Sequence, residues 1–174
     1  DFRAIYTEII ALCSRANAYR RLGYISDHGG GGWPDSPRFR AILHALKRSH
    51  LELEESGADH PPASTDIMGT EPCERAYTRT RRLLANGVDL IIAHNDLIVP
   101  SIYKAIGDMG RQVGTDVGVF GSDDLYYAAY LTPPLSTVRL HLEKLAEILP
   151  RWLHDGGSSF TIPHEIVLRD SLKL

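Results

Sequence analysis

The sequence lacks the features that mark membrane-spanning, secreted and disulfide-stapled proteins. Its two cysteines, Cys13 and Cys73, are far apart and form no Cys-x-x-Cys motif, so neither a disulfide framework nor a structural zinc site is indicated. No apolar run approaches the roughly 20 residues that span a bilayer, and the chain does not open on a secretory signal segment. We therefore expect a cytoplasmic protein with reduced thiols and no membrane partner.

An excess of positive charge is also missing. The 174 residues carry 19 Lys and Arg against 22 Asp and Glu, a formal net charge of −3, so the chain is not expected to bind nucleic acid by itself. Hydrophobic residues make up 43% and charged residues 24% of the sequence, which is typical of a folded globular protein with a sizeable core. The length suits one ordinary domain or two small lobes.

Predicted helices and strands alternate along the chain. Apolar periodicity predicts helices over about 2–17, from Ser36 through Leu46, from after Pro72 to Asn86–Gly87, after Asp96, and over Leu142–Leu153. A polar, proline-rich loop is predicted from Gly57 to about Pro72. Short apolar segments predict strands at 22–26, 51–55, 88–93, 117–120 and 165–169. This alternation predicts an α/β fold, a mostly parallel sheet flanked by helices.

Three loops follow the carboxyl ends of predicted strands, where open parallel sheets bind their ligands. They cover residues 27–38, 94–96 and 121–124, and a small-molecule site is expected between them. Trp33, beside a run of four glycines, either stacks on a ligand ring or anchors its own loop. Asn95 or Asp96 is expected to cap the helix that follows the second loop.

None of these loops carries a complete catalytic or nucleotide-binding motif. His28 and the glycines after it imitate the oxyanion segment of lipases, but the chain has no Gly-x-Ser-x-Gly elbow. It also has no glycine-rich phosphate motif and no pair of histidines four residues apart. Asp123 and Asp124 could form an acid/base pair, yet neighbouring residues at a strand end point in opposite directions, which favours one pocket acceptor and one helix cap. We expect no enzymatic activity, metal or cofactor.

The order of the polar motifs resembles that of the lactose/galactose repressor (LacI/GalR) family of transcription regulators. In chain order the motifs are Ala93-His94-Asn95-Asp96; Gly114, Asp116 and the strand 117–120 with Gly121-Ser122-Asp123-Asp124; Pro133-Pro134-Leu135-Ser136-Thr137-Val138; and Ile166-Val167-Leu168-Arg169-Asp170-Ser171. The family's Arg-x-x-Gly-aromatic pattern falls on Arg38, with Ala41 and Ile42 in place of the last two residues. Ser122 stands where an aromatic residue is usual.

The resemblance implies a periplasmic-binding-protein-like fold of type I, mainly its C-terminal subdomain. It implies that Arg38, Asn95 and Asp123 contact a small-molecule effector. Ser122 and Trp33, which lie in the same three loops, are further candidate contacts. Independently, a guanidinium, an amide and a carboxylate in one cleft suit the hydroxyls of a sugar or a related metabolite, because each hydroxyl both donates and accepts hydrogen bonds.

The resemblance also implies a division of the chain. Residues 1–137 correspond to the C-terminal subdomain, 138–157 to a crossover helix that packs on an N-terminal subdomain outside this sequence, and 158–174 to a returning strand and tail. Operator DNA is then bound only through a headpiece that these residues do not contain. The relatives are homodimers, and the helix 96–109 and the segment 125–131 are the interface candidates, unless their apolar residues are plain core.

Two other functions remain open from the sequence. A periplasmic sugar-binding receptor of a transporter shares the two-lobed fold, and a signal peptide in the gene would favour it whereas a DNA-binding headpiece would exclude it. A hydrolase built on the loop of His28 is the third possibility, and it predicts ester turnover that is lost when His28 is replaced.

Overall fold

The computed structural model of the chain describes residues 1–26, 36–54, 70–156 and 160–174. Helices and strands alternate within them as predicted. The helices are α1 (Phe2–Ala16), α2 (Pro37–Leu46), α3 (Thr70–Ala85), α4 (Val99–Asp108) and α5 (Glu143–Asp155), and the strands are β1 (Arg21–Ile25), β2 (Glu52–Leu53), β3 (Leu90–Ala93), β4 (Gly118–Phe120), β5 (Thr137–Leu140) and β6 (His164–Val167). Single 3₁₀ turns occur at Asp96–Ile98 and Ala128–Tyr130.

The main sheet is parallel and has the strand order β2-β1-β3-β4. Leu22 to Ile25 of β1 pair with Leu90 to Ala93 of β3, which in turn pairs with β4. The predicted α/β class is therefore confirmed. Because all four strands run in one direction, their carboxyl ends meet at one edge of the sheet, here called the carboxyl edge.

Side chains alternate between the two faces of this sheet, and each face has its own apolar core. On one face, Tyr24 and Ile92 pack with residues of α1 and α2. On the other face, Ile91 and Val119 pack with residues of α3 and α4. Each fully buried large aliphatic side chain contributes about 1.5–3 kcal/mol of transfer free energy, so both helix layers are fixed firmly against the strands between them.

Several predicted boundaries were wrong in detail. The second strand covers only Glu52–Leu53, because its sole partner within the described residues is β1, along two residue pairs. Helix α3 begins at Thr70, ahead of the predicted start after Pro72, since a proline is tolerated in the first helical turn, where the N–H groups have no intrahelical partner. The proline-rich loop predicted before it lies mostly outside the described residues.

The last two strands form a separate antiparallel pair. Thr137 pairs with Val167 and Leu140 with His164, so the strand predicted at 165–169 lies at 164–167 and joins β5 instead of the parallel sheet. A single bridge between Phe120 and Ser136 connects the start of this pair to the end of β4. We call β5 and β6 the crossover pair, because the chain leaves the sheet along one strand and returns along the other.

Helix α5 follows β5 and precedes β6 in the chain, and it exposes apolar side chains. Leu142, at its N-terminal cap, is 58% exposed, and Leu153 is 66% exposed. The predicted apolar stripe of this helix is thus uncovered in part. None of the helices in the described part of the chain has both the length and the apolar composition needed to cross a bilayer.

Candidate functional site

Arg38 lies in the first turn of α2 because Ser36 caps that helix. The Ser36 hydroxyl accepts a hydrogen bond from the Phe39 N–H at 3.1 Å, and Pro37 occupies the first helical position, which suits its fixed φ. From there the Arg38 guanidinium donates to the backbone carbonyl of His94, just beyond the end of β3. The helix predicted from Ser36 onward therefore brings a cation to the carboxyl edge.

Aromatic side chains hold Arg38 from the side of α1. Its guanidinium carbon lies 4.8 Å from the centre of the Phe2 ring, a cation–π contact. Burial raises the pKa of Tyr6, and the charge and hydrogen bond of Arg38 act against that rise. The negative charge of the Asp123 carboxylate adds to the rise in the pKa of Tyr6. The contacts with the Phe2 ring and the His94 carbonyl place the Arg38 guanidinium between α1 and the end of β3, at the carboxyl edge.

His94 contributes its side chain to the same edge. Its Nδ1 lies 2.7 Å from the Tyr24 hydroxyl, and the Tyr24 ring stacks on the Phe39 ring with centroids 5.8 Å apart. This packing fixes an imidazole next to Asn95, which is half-buried and precedes the 3₁₀ turn at Asp96.

The Asp96 carboxylate ties the end of β3 to the loop after β4. Its Oδ1 accepts hydrogen bonds from the Ser122 N–H at 2.7 Å and the Thr137 hydroxyl at 2.9 Å, and its Oδ2 accepts one from the Leu125 N–H at 3.0 Å. A Cβ added at Gly121 would lie 2.0 Å from Oδ1, so this close approach requires glycine. Burial raises the pKa of Asp96 to about 6, although these hydrogen bonds favour the ionised form.

This network corrects the predicted helix cap. Asn95 occupies the cap position but makes no side-chain cap hydrogen bond, and the Asp96 carboxylate bonds across to the next loop instead. A carboxylate that can satisfy two backbone N–H groups and a hydroxyl of a neighbouring strand end is more strongly held there than by one N–H of its own turn.

The two consecutive aspartates behave differently, as predicted, but the second is no helix cap. Asp123 is exposed. The Asp124 carboxylate bonds to Arg139 Nη2 at 2.6 Å and to Arg169 Nη2 at 2.8 Å. Burial of Asp124 disfavours its ionised form, but the hydrogen bonds and charges of Arg169 and Arg139 outweigh burial and lower its pKa.

The predicted site residues thus fall into three groups. Arg38, Asn95 and Asp123 are brought to one edge by α2, the end of β3 and the end of β4. Ser122 is only 3% exposed, and its backbone groups bond to Asp96; its contact with a ligand stays a prediction. Trp33 and the glycine run lie outside the described residues.

The arrangement is suited to binding hydroxyl groups. It combines a guanidinium donor, an exposed carboxylate acceptor, an amide that does both, and neighbouring phenol and imidazole groups, which is the mixture that orients a polyhydroxylated ligand. No group of three His, Cys, Asp or Glu side chains within the described ranges is close enough to share a metal ion.

Sequence reasoning missed the residues that support the contacts. Asp96 lay within a recognised motif but was assigned only a capping role, and Arg139 gave no signal at all. Gly121 offered a clue, since a glycine directly after a buried strand often marks a close approach of another chemical group.

The chain matches the family model of the periplasmic binding protein-like domain over residues 15–172, and it belongs to that family. Among curated proteins it is 34% identical to the lactose operon repressor of Rhizobium radiobacter over 108 residues, 58% of this chain and 96% of that protein. It is 26% identical to the ribose operon repressor of Escherichia coli K12 over 117 residues, 66% of this chain and 33% of the repressor. The resemblance to the lactose/galactose repressor family is thereby confirmed.

A solved structure agrees with this assignment at the level of the fold. A LacI family transcriptional regulator from Arthrobacter, in complex with lactose, superposes with a TM-score of 0.73 at 23% identity, over 98% of this chain and 64% of that one. The present chain spans less than two thirds of the regulator and about a third of the ribose repressor.

Proposed function

We propose that the chain binds a sugar or a related polyhydroxylated metabolite at the carboxyl edge, as the effector-sensing part of a transcription regulator. The observation that carries this proposal is the convergence of Arg38, Asn95 and Asp123 at one edge of the parallel sheet. The relatives are named as repressors of sugar operons, and none of those named above is an enzyme or a transport receptor. Regulation in the cytoplasm is therefore proposed over the periplasmic and hydrolase alternatives.

The sugar would be held mainly by directional hydrogen bonds. The Asp123 carboxylate would accept from two adjacent hydroxyls, and the Arg38 guanidinium would donate to ring or hydroxyl oxygens. Lactose and ribose are the first probes to test, because a similar structure contains lactose and a relative is named for ribose.

The response to the sugar is proposed to be conformational. A ligand shifts an equilibrium only through different affinities for two states, so a second lobe must contact the same sugar. Residues 1–137 would form one lobe, the helix within 138–157 would pack on the second, and 158–174 would return to the first. Operator DNA would be bound by a headpiece beyond these residues.

Homodimerisation is proposed through residues 96–109 and the segment 125–131. Tyr126 and Tyr130 are 85% and 82% exposed, and Leu97 is 51% exposed. Large apolar side chains at such exposure are typical of an interface that another subunit covers.

The test is a thermal-shift and calorimetry screen of the full-length protein against neutral sugars, including lactose and ribose. A sugar that binds the folded state raises the melting temperature by mass action. Arg38→Ala and Asp123→Ala should each weaken binding by about 1–3 kcal/mol. The matched control is Arg40→Ala, which removes an exposed arginine from the same helix. Unchanged affinity in both site variants would contradict the site, and no response to any sugar would contradict the proposed effector class.

A further inference from the structure

The backbone of the Asp123 loop adopts an unusual conformation. Asp123 has φ 108° and Asp124 has φ 49°, so two adjacent residues with side chains occupy the region that favours glycine. Such a conformation persists only where surrounding contacts determine it. Asp123 is also the proposed ligand contact. The contacts that hold its backbone therefore also set the direction of its carboxylate.

The Asp124 side chain supplies two of these contacts. Its side chain is 7% exposed, and its two oxygens bond to different arginines, Oδ2 to Arg139 and Oδ1 to Arg169. The Asp123 N–H donates to the Val138 carbonyl at 2.8 Å, beside Arg139 in the same strand. The loop is therefore fixed from one side by a carboxylate held at both oxygens and by a backbone hydrogen bond.

Both arginines belong to the crossover pair or its continuation. Arg139 lies in β5, and Arg169 follows β6 by two residues. Arg169 also donates to the Leu135 carbonyl at 2.7 Å, which fixes it to the segment that precedes β5. Asp124 thus joins the proposed ligand loop to both strands along which the chain leaves the lobe and returns.

Polar side-chain contacts extend from this point toward α5. Arg139 Nη1 lies 3.1 Å from Glu165, and His141 lies 4.0 Å from Glu165 and 2.8 Å from Glu143, the first residue of the helix. A change in the twist of the crossover pair would therefore displace the arginine that holds Asp124.

We propose that Asp124 is a positioning residue for Asp123, and that the crossover pair sets the geometry of this ligand contact through Arg139 and Arg169. The inference rests on the proposed function, because it names what orients the Asp123 carboxylate toward a sugar. Binding of a sugar to Asp123 would favour the arrangement of the crossover pair in which Asp124 is held by both arginines.

The first measurement needs no sugar. Amide hydrogen exchange of residues 121–125 is compared, in the full-length protein, among the wild type, Asp124→Asn, Arg139→Gln and Arg139→Lys. Loss of a charge-assisted hydrogen bond should speed exchange at the Asp123 amide by about tenfold or more in Asp124→Asn. Arg139→Gln should speed it less, since Arg169 remains, and Arg139→Lys should recover part of the protection. Glu147→Gln is the control, because Glu147 pairs with Lys144 on its own helix.

The second measurement separates positioning from general destabilisation. Affinity for lactose and ribose is measured for Asp124→Asn alone and in an Asp123→Ala background. Asp124→Asn alone should weaken binding by about tenfold, and it should add nothing once Asp123 is gone. An equal loss in both backgrounds, or exchange that matches the Glu147→Gln control, would overturn the proposal. If the wild type binds neither sugar, the expectation for those sugars fails, while the exchange result still decides whether Asp124 holds the loop.

Discussion

Asp96 is fully buried, although its neighbours in the chain are expected to meet the ligand. A buried carboxylate is costly unless hydrogen bonds satisfy it, and here two backbone N–H groups and a threonine hydroxyl do so. The Asp96 side chain thus joins the end of β3, the loop after β4 and the start of β5 by hydrogen bonds. The relative positions of Asn95 and Asp123 are therefore set by a residue that touches neither solvent nor, in the proposed function, the sugar.

Replacing Asp96 by asparagine should change how stability depends on pH. Burial raises the pKa of Asp96 to about 6 in the folded protein, above the value near 3.9 of an unfolded chain. Between these values the folded state holds the proton more tightly, so this group stabilises the fold below about pH 4, and that stability is lost as the pH rises through 6. The wild type should lose roughly 2–3 kcal/mol from this source between pH 4 and pH 7, and Asp96→Asn should not.

The measurement is urea unfolding at several pH values, with wild type minus variant taken at each pH so that other titrations cancel. Asp108→Asn, which removes an exposed carboxylate bonded to Lys104, is the control and should keep the loss that belongs to Asp96. Parallel profiles for the wild type and Asp96→Asn would contradict the raised pKa.

For individual residues, the sequence predicted which side chains lie at the strand ends. It did not predict the hydrogen bonds and ion pairs that these side chains make. Arg38, Asn95 and Asp123 follow from motif order, and the start of α2 follows from the proline after Ser36. The pairing of Asp124 with Arg139 and Arg169 could not be predicted, because it depends on where β5 and β6 pass the loop, and that is settled by tertiary packing.

Among the elements, the amphipathic helices were the most predictable. Helix α1 covers Phe2–Ala16 against a predicted range of about 2–17, because a stripe of apolar residues repeats over four turns and buries against the sheet. The crossover pair was harder. Residues 137–140 and 164–167 are separated by a helix, and nothing local in either segment specifies an antiparallel partner rather than an edge of the main sheet.

Helix α5 provides a test of the proposed second lobe. Leu149 and Leu153 lie one turn apart and are 37% and 66% exposed, so Leu149→Glu with Leu153→Glu should change the unfolding free energy of the 174-residue chain by no more than about 0.5 kcal/mol. The same double substitution should lower the unfolding free energy of the full-length protein several times more, because it would bury two charges against the second lobe.

Chemical denaturation of both lengths of protein checks this expectation. Ala146→Glu is the matched control, since it adds a charge at an exposed position of the same helix without removing a large apolar group. Equal effects of the double change in both lengths would mean that no lobe covers this face.

For the whole molecule, the proposed dimer predicts which surface is sensitive to charge. Tyr126→Glu with Tyr130→Glu should convert a dimer to a monomer, because two desolvated carboxylates would have no partners in the interface. Analytical ultracentrifugation of the full-length protein measures the outcome. Arg40→Glu, on the opposite helix layer, is the control and should remain dimeric. A wild type that sediments as a monomer, or a double variant that stays dimeric, would contradict this interface.

The crossover pair has a consequence for how the chain could be shortened. Leu140 and His164 face each other at the outer end of their antiparallel ladder, and paired residues in that position are the ones that a two-residue Asn-Gly turn connects in a natural hairpin. The two residues that flank the range 141–163 are therefore neighbours across the ladder. Excision of residues 141–163 would leave every strand of the lobe in its present order and convert the outgoing and incoming strands into an ordinary hairpin.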